Sequence, residues 1–332
     1  MAVSCPEVSV VVPTRNRLAL LAATLDRVAA QRRINFEVII VDDGGDVDVA
    51  SALSTRGDSR MRFLRNEHRR GVSHTRNRGI GAAIGRWVAF CDDDDLWAPD
   101  KLRLQLDAAV GQGRRWVYAG AVQVDRGLRV QAGSPPLPPQ DLWESLPRYN
   151  AVPAGASNVI VERAVLDAVG GFDEDLSHFE DWDLWLRLRT VGLPAWVPEP
   201  LVGYLAHSTN ATLDGEQMLA NLHRIERRNG VQVEWPRTYR YLGRTSLRAG
   251  QRAEALRYFA LAAAGAGRGY DSSALRQDVR LLAEHAREVW RRRRGVGPGA
   301  AARARQRQRE LTDPNKRYKD EARRWLSEQR VN

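Results

Sequence analysis

Four consecutive aspartates, Asp92 to Asp95, follow an apolar run that ends at Cys91. Adjacent carboxylates repel one another, and a hard divalent cation, Mg²⁺ or Mn²⁺, would relieve that repulsion through oxygen ligands. A solvated acidic turn that caps the next helix is the simpler structural alternative. The spacing excludes an EF-hand loop, because Leu96 and Arg103 stand where that loop needs acidic ligands.

An earlier apolar run, residues 38–41, is followed in the same way by Asp42, Asp43 and two glycines, which permit a tight turn. Carboxylates at such a point commonly accept hydrogen bonds from a ribose hydroxyl or a base N–H. The first apolar run of the chain ends in a turn with further polar groups, namely Pro13, Thr14, Arg15 and Asn16. Both turns are therefore predicted to contact a nucleotide.

Two helix starts supply the remaining candidate residues. Arg76 lies in the Gly- and Arg-containing segment 68–79, and both arginine and a helix N-terminus suit a pyrophosphate. Glu180 and Asp181 begin an amphipathic helix. Capping of that helix by Asp181 is the structural alternative to a chemical role.

The elements that position these residues form an α/β pattern. Short apolar runs at 8–12, 36–41, 60–65, 87–91 and 116–124 alternate with amphipathic segments, and their continuous apolar character predicts a mainly parallel, Rossmann-like sheet flanked by helices. The carboxyl ends of parallel strands meet at one edge. The Pro-rich segment 133–139 predicts a loop near that edge.

Three regions are predicted along the chain: a catalytic domain over residues 1–235, a helical extension over 236–290, and a basic tail over 291–332. The extension resembles one tetratricopeptide helix pair that meets at Gly250. Residues 236–332 hold 24 Lys and Arg against 10 Asp and Glu, a balance of +14, so the positive excess of the chain, +10 in total, comes from this third. A solvated extension is the favoured interpretation of the tail; a nucleic-acid-binding or membrane-surface role is a hypothesis based on charge alone.

The composition excludes some classes of protein. With 332 residues, 43% of them hydrophobic, the chain can bury a substantial core, which excludes a disordered chain. Two cysteines in 332 residues exclude a disulfide framework and favour a reducing cytoplasm. We expect neither a signal peptide nor a membrane-spanning helix.

Taken together, the segments resemble the family 2 glycosyltransferases, which are inverting enzymes with the GT-A fold. The similar blocks occur in the family's order over about residues 7–206: VSVVVPTRNR, EVIIVDDGG, RGVSHTRNRGIGAAIGRWVAFCDDDDLWAPDKL, GASNVIVERAVLDAVGGFDEDL and FEDWDLWLRL. The string QxxRW at residues 112–116, a signature of processive synthases, precedes the predicted base and is rejected as a match. Transfer of one sugar per encounter is expected.

The resemblance implies a nucleotide-diphosphate sugar donor, UDP-linked by default, and an acceptor hydroxyl on a saccharide, a lipid-linked saccharide or a natural product. It assigns Asp181 as the catalytic base, which an ordinary carboxyl pKa near 4 would leave ionised at neutral pH. Metal ligation is assigned to Asp92, Asp94 and, with a surface residue as the alternative, His207. The resemblance places Thr14 and Asp42 in the nucleoside pocket, Arg76 near the nucleobase or phosphate, and Asp92 and Asp94 in the DXD motif. From their own positions, further contacts with the nucleotide sugar are predicted for Pro13, Arg15, Asn16, Asp43, Asp93 and Glu180, beside Asp92.

Two other functions are weighed against this one. A sugar-nucleotide pyrophosphorylase shares the nucleotide-binding half, but it carries a Gly-rich signature after the first strand, where this chain reads PTRNRLALL. Nucleic-acid binding is disfavoured as the main function, because no aromatic stacking motif accompanies the arginines. We expect a cytoplasmic protein whose tail could contact the inner face of the membrane.

Overall fold

A computed structural model of the chain describes residues 5–205, 214–265 and 315–328, together with positions 283 and 313. Within these residues nine strands form one sheet. The strands are β1 (Val8–Thr14), β2 (Phe36–Asp42), β3 (Met61–Arg65), β4 (Trp87–Phe90), β5 (Leu96–Trp97), β6 (Trp116–Val124), β7 (Val130–Ser134), β8 (Ile160–Glu162) and β9 (Ala195–Leu205).

Helices pack on both faces of this sheet, as the apolar strands predict. The α-helices of the described residues are α1 (Leu18–Ala29), α2 (Val49–Ala52), α3 (Val72–Ala82), α4 (Lys101–Gly111), α5 (Pro139–Ser145), α6 (Arg163–Val169), α7 (Glu180–Leu188), α8 (Gly215–Asn229), α9 (Trp235–Arg248), α10 (Arg252–Gly265) and α11 (Lys316–Glu328).

The strand order is β3-β2-β1-β4-β8-β6-β9-β5, with β7 paired to β6. The first four strands of this order are parallel, and β9 is parallel to β6, which confirms the predicted α/β class. β8 runs antiparallel to both of its neighbours. The sheet is therefore mixed at its centre, where the two halves of the chain join.

Alternate residues of the central strands face two different core clusters. Val8, Val10 and Val12 of β1 belong to one cluster, and Val11 belongs to the other. All seven residues of β1 are buried. The apolar run is thus nearly continuous because both faces of the strand are covered.

Residues 130–139 differ from the predicted loop. Residues 130–134 form β7, which pairs antiparallel with β6, and Pro139 begins α5. Proline is tolerated in the first turn of a helix because the amide there needs no intrahelical partner. Only the short link between these elements is irregular.

Helices α9 and α10 meet near Gly250, whose φ of +81° suits glycine. This is the helix pair that the sequence predicts; its relationship to tetratricopeptide repeats stays a prediction.

Helix α11 lies within the predicted basic tail, yet it packs against the sheet. Ala322, Trp325 and Leu326 are buried in the same core cluster as β1, and Trp325 Nε1 donates to the carbonyl of Pro200 at 2.8 Å. The helical spacing of these residues gives one apolar stripe, which explains the difference from a solvated tail. The remainder of the tail, residues 291–312 and 329–332, lies outside the described residues. None of the described helices is long and apolar enough to span a bilayer.

Candidate active site

The turns after β1 and β2 lie side by side, because the two strands pair in parallel with Thr14 opposite Asp42. Asp42 Oδ1 accepts a hydrogen bond from the Gly45 amide at 3.0 Å. Asp42 Oδ2 is buried and accepts no hydrogen bond from the described residues, although Arg65 Nε lies 3.5 Å away. This oxygen can therefore accept a hydrogen bond from a ligand.

The other predicted residues of the first turn differ in their surroundings. Pro13 is buried within β1, and Arg15 is exposed beside the turn. Asn16 holds Asp46 at both ends of its amide: Nδ2 donates to Asp46 Oδ2 at 2.9 Å, and Oδ1 accepts from the Asp46 amide at 2.7 Å. Asn16 thus ties the turn after β1 to the turn after β2.

Asp43, a predicted contact of the nucleotide sugar, holds the entry to α3 together. Its Oδ1 accepts from Asn66 Nδ2 and from the Arg70 amide, both at 2.8 Å, and its Oδ2 accepts from the Gly71 amide at 2.9 Å. Although burial opposes ionisation, these hydrogen bonds lower the pKa of Asp43. The Asp43 carboxylate therefore stabilises the segment that leads into α3.

Arg17 neutralises the middle of the aspartate run. Its Nη1 lies 2.8 Å from Asp94 Oδ2 and 3.3 Å from Asp93 Oδ1, and Thr14 Oγ1 donates to Asp93 Oδ2 at 2.7 Å. Burial raises the pKa of Asp93 to about 6 in spite of these contacts. Part of the repulsion from which the sequence predicts a cation is thus relieved by the protein itself.

Asp95 is the most deeply buried residue of the aspartate run. Its Oδ1 accepts from the Leu205 amide at 3.2 Å, and only 1% of the residue is exposed. Burial, followed by the charges of Asp94 and Asp92, raises the pKa of Asp95. This residue joins the aspartate run to the end of β9.

Arg76 links the aspartate run to α7, the helix that carries the predicted catalytic base. Its Nη2 donates to Asp92 Oδ1 and its Nη1 donates to Glu180 Oε1, each at 2.6 Å. Only 4% of the Arg76 side chain is exposed. Although burial disfavours the cation, the two carboxylates raise the pKa of Arg76, so the guanidinium is charged. The predicted contact with base or phosphate stays a prediction.

Asp181 lies at the N-terminal turn of α7 and is half-buried. Its Oδ1 accepts from the Trp182 amide at 2.7 Å, and its Oδ2 accepts from Asn150 Nδ2 at 3.2 Å. Burial, and after it the charge of Glu180, raises the pKa of Asp181 to about 7, while Arg76 opposes the rise. The ordinary value near 4 that the sequence suggests is therefore wrong, since it takes no account of burial.

Gly155 keeps the approach to Asp181 narrow but open. It has a φ of +52°, and a Cβ at this position would lie 2.8 Å from Asp181 Oδ2. Any larger residue would crowd the carboxylate oxygen that Asn150 holds. The glycine is therefore required by both its backbone conformation and this close contact.

The metal prediction is not decided by this geometry. Within the part of the chain that the structure describes, no group of three or more His, Cys, Asp or Glu side chains is placed to hold a metal ion. His207, the third predicted ligand, lies outside the described residues. The carboxylates of Asp92 and Asp94 offer the hard oxygen donors that Mg²⁺ and Mn²⁺ prefer.

Sequence reasoning missed Arg17 and Asn150. Arg17 stands next to the predicted turn, and its charge beside four aspartates was a usable signal. Asn150 lies in a segment between two predicted elements, where its type and spacing carry no signal. Ser157 was also missed: its Oγ accepts from the Asp92 amide at 2.9 Å, a contact that only the folded chain brings about.

Comparisons with known proteins identify the class of this fold and site. The family described as Glycosyl transferase family 2 matches residues 9–141. The chain is 32% identical over 212 residues to the amylovoran biosynthesis glycosyltransferase AmsB of Erwinia amylovora, an alignment that covers 59% of this chain and 68% of AmsB. The chain belongs to the family 2 glycosyltransferases, as its sequence blocks predict, and it is a glycosyltransferase.

Two further relatives extend the comparison. The chain is 26% identical over 181 residues to the UDP-Glc:α-D-GlcNAc-diphosphoundecaprenol β-1,3-glucosyltransferase WfgD of Escherichia coli, covering 54% of this chain and 69% of WfgD. The crystal structure of S. aureus TarS residues 1–349 in complex with UDP superposes with a TM-score of 0.53 at 18% identity, covering 80% of this chain and 93% of TarS. This likeness confirms the predicted GT-A fold.

Proposed function

We propose that the protein transfers a single sugar from a nucleotide-diphosphate sugar to a hydroxyl of a saccharide acceptor, with inversion at the anomeric carbon. The observation that carries this proposal is the placement of Asp181. Its carboxylate is half-buried at the start of α7, and Arg76 connects the adjoining Glu180 to Asp92. A base and a diphosphate-binding region thus lie on opposite sides of one buried arginine.

The donor's nucleoside lies over the ends of β1 and β2 in this proposal. Asp42 Oδ2, which lies 3.5 Å from Arg65 Nε, accepts a hydrogen bond from the nucleobase, with Thr14 beside it. UDP is the favoured nucleotide, because TarS is described in complex with UDP and the name of WfgD specifies UDP-Glc. Arg15, exposed at the same edge, is available to the phosphates.

The reaction is a single displacement. Asp181 takes the proton from the acceptor hydroxyl while that oxygen forms a bond to the anomeric carbon. The bond from that carbon to the diphosphate oxygen breaks on the opposite face, and its electron pair leaves with the nucleotide. A base with a pKa of about 7 is well matched to proton transfer at neutral pH.

Glu180 is the rival candidate for the base, and its contacts argue against it. Its Oε1 receives the Arg76 hydrogen bond at 2.6 Å, and 12% of its side chain is exposed. The oxygen that accepts from this buried guanidinium is engaged within the protein. Glu180 is therefore proposed as the residue that positions α7 and Arg76.

Mn²⁺ or Mg²⁺ is proposed as the cofactor, held by Asp94 and Asp92, with His207 as a further candidate ligand. A bound ion would neutralise the charge that develops on the departing diphosphate. Arg17 contacts Asp94 at 2.8 Å, and about a third of its side chain is exposed, 32%. Ligation by Asp94 would therefore require this partly exposed arginine to move away from the carboxylate.

A lipid-linked saccharide is the favoured acceptor, since the acceptor named for WfgD is a sugar joined through diphosphate to undecaprenol. Such an acceptor would place the reaction at the cytoplasmic face of a membrane. A pyrophosphorylase reaction is disfavoured, because it needs no acceptor base and the relatives reported above are named glycosyltransferases.

A thermal-shift series tests the donor. UDP-, dTDP- and GDP-sugars are compared with and without Mn²⁺, on the native protein and on Asp94→Asn. We expect one nucleotide to raise Tm in a Mn²⁺-dependent manner, and the rise to vanish in the variant. If no sugar nucleotide raises Tm, the proposed function is wrong. If a sugar nucleotide raises Tm equally without Mn²⁺, only the proposed cofactor is wrong.

Asp181→Asn tests the base. The amide preserves size and keeps one of the two acceptor oxygens, so it can still accept from the Trp182 amide while its NH2 group faces Asn150. Donor binding should therefore be retained while transfer falls by a factor of about 10²–10⁴. The readouts are UDP binding by calorimetry and sugar transfer. Equal loss of binding and transfer would instead assign Asp181 a structural role.

A further inference from the structure

Helix α9 contacts the loop that holds the proposed base, Asp181. Arg237, in the first turn of α9, places its guanidinium carbon 3.7 Å from the ring centroid of Tyr149. The next residue, Asn150, donates to Asp181 Oδ2 at 3.2 Å. Two residues of one loop therefore contact α9 and the base in succession.

One turn further along α9, Tyr241 contacts the segment that precedes the base. Its ring lies 6.4 Å from the ring of Phe179, centroid to centroid, and Phe179 immediately precedes Glu180. Phe179 has a φ of +61°, unusual for an aromatic residue, and its ring packs edge-on against Trp182. Tyr241 is 53% exposed, so an aromatic surface borders the base and faces solvent.

The same face of α9 is strongly basic. Helix α9 contains four arginines and no acidic residue. Arg237, Arg240, Tyr241 and Arg244 recur at spacings of three and four, which places them on one side of the helix. The stripe defined by these four side chains is here called the α9 stripe, and two of its members, Arg237 and Tyr241, contact the segments on either side of the base in the fold.

Resting on the proposed function, we propose that the α9 stripe binds the acceptor, and that the acceptor is a saccharide joined to a diphosphate. The ring of Tyr241 offers an apolar face and a hydroxyl that suit the acceptor sugar. Arginine pairs with phosphate through two parallel hydrogen bonds. The order along the helix, aromatic beside the base and arginines on either side, orients the sugar hydroxyl toward Asp181.

The charge pattern favours this occupant over a plain saccharide. A neutral sugar would need no arginines, whereas a diphosphate carries enough charge to attract several. The proposed donor phosphates lie instead toward the aspartate run. Two separate anionic subsites, one for each substrate, therefore flank the base.

The test is a binding titration in the presence of saturating UDP and MnCl₂, which occupy the donor site. The probes are α-GlcNAc diphosphate with a short alkyl chain and the uncharged alkyl α-GlcNAc glycoside of equal length. The variants are Arg237→Gln and Tyr241→Ala, with Arg257→Gln as the matched control. Arg257 is an exposed arginine of α10 that contacts Glu254 at 3.7 Å.

We expect the native protein and Arg257→Gln to bind the diphosphate probe alike. Arg237→Gln should weaken its binding about tenfold, the usual effect of losing one charged hydrogen bond, and should leave the weaker binding of the uncharged probe unchanged. Tyr241→Ala should weaken binding of both probes. Arg237→Lys, which keeps the charge, should recover part of the loss.

Other outcomes overturn the inference. One is that the native protein binds the diphosphate probe no more tightly than the uncharged probe. Another is that Arg257→Gln weakens binding as much as Arg237→Gln. A third is that Arg237→Gln releases the protein from phosphatidylglycerol vesicles while probe binding is unchanged, because the stripe would then be a membrane contact. The UDP titration is read separately, so a protein that fails to bind UDP refutes the proposed function, whereas one that binds UDP but not the probe refutes this inference alone.

Discussion

At the scale of single residues, the raised pKa of Asp181 predicts the pH dependence of the reaction. A general base acts in its deprotonated form, so kcat should rise about tenfold per pH unit below pH 7 and level off above it, given a pKa of about 7. Asn150 lowers that pKa by donating to the carboxylate. In Asn150→Ala the rising limb should therefore move to higher pH.

The neighbouring carboxylate supplies a variant of opposite sign. Glu180 raises the pKa of Asp181 through its charge, and Glu180→Gln removes the charge while its amide oxygen can still accept from Arg76. The limb should then move to lower pH. Profiles of kcat at saturating donor and acceptor decide the matter: three superimposable limbs would show that a group other than Asp181 controls the rate.

Residues also show where sequence reasoning reaches its limit. Thr14, Asp42, Asp92, Asp94 and Arg76 could be predicted to converge, because each follows a strand or begins a helix at one sheet edge. The pKa of Asp181 could not be predicted, because burial and the position of Asn150 depend on packing between distant segments. Asp43 and Asp93 share the type and position of site residues, but their hydrogen bonds within the protein become visible only in the fold.

At the scale of elements, Arg76 joins α3, α7 and the end of β4. Replacing it with Met would leave two acidic groups without their buried partner. Loss of one member of a buried ion pair commonly costs about 3–5 kcal/mol, and we expect the lower end for Arg76→Met, since 34% of the Asp92 side chain is exposed. Urea denaturation measures this change.

An exposed ion pair provides the control. Arg86 lies 3.2 Å from Glu162, and 69% of its side chain is exposed. Arg86→Met should lower the free energy of unfolding by about 1 kcal/mol or less. If both variants unfold at the same urea concentration as the native protein, Arg76 does not hold these elements together.

Among the strands, the long ones that are buried on both faces were the most predictable from the sequence. β1 and β2 are found within about two residues of the predicted bounds, because strands covered on both faces read as continuous apolar runs. β5, with two residues, is too short for a periodic pattern. The antiparallel directions of β5 and β8 follow from how the second half of the chain returns to the sheet.

At the scale of the whole molecule, α11 packs against the sheet at a place where several strand residues are glycines. A Cβ on Gly120 would come within 1.7 Å of Tyr318 Oη, so Gly120→Ala should displace α11 and lower Tm by several degrees, about 2–4 °C per kcal/mol in a chain of this size. Differential scanning calorimetry measures the shift.

A second glycine and a double variant make this prediction specific. Gly111, at the end of α4, has open space around its Cβ position, so Gly111→Ala should leave Tm unchanged or raise it slightly. Combining Gly120→Ala with Tyr318→Ala should recover part of the loss caused by the clash. Unchanged Tm in Gly120→Ala would mean that α11 does not rest on this part of β6.

The two arginines that pair with the aspartate run affect how the protein should behave when metal ions are removed. Because Arg17 and Arg76 supply positive charge to Asp92, Asp93 and Asp94, the chain should fold in a chelating buffer. Purification in EDTA is expected to give the same unfolding midpoint as purification in MgCl₂, whereas sugar transfer should start only when the ion is restored. A midpoint that drops on chelation would reveal an ion built into the architecture.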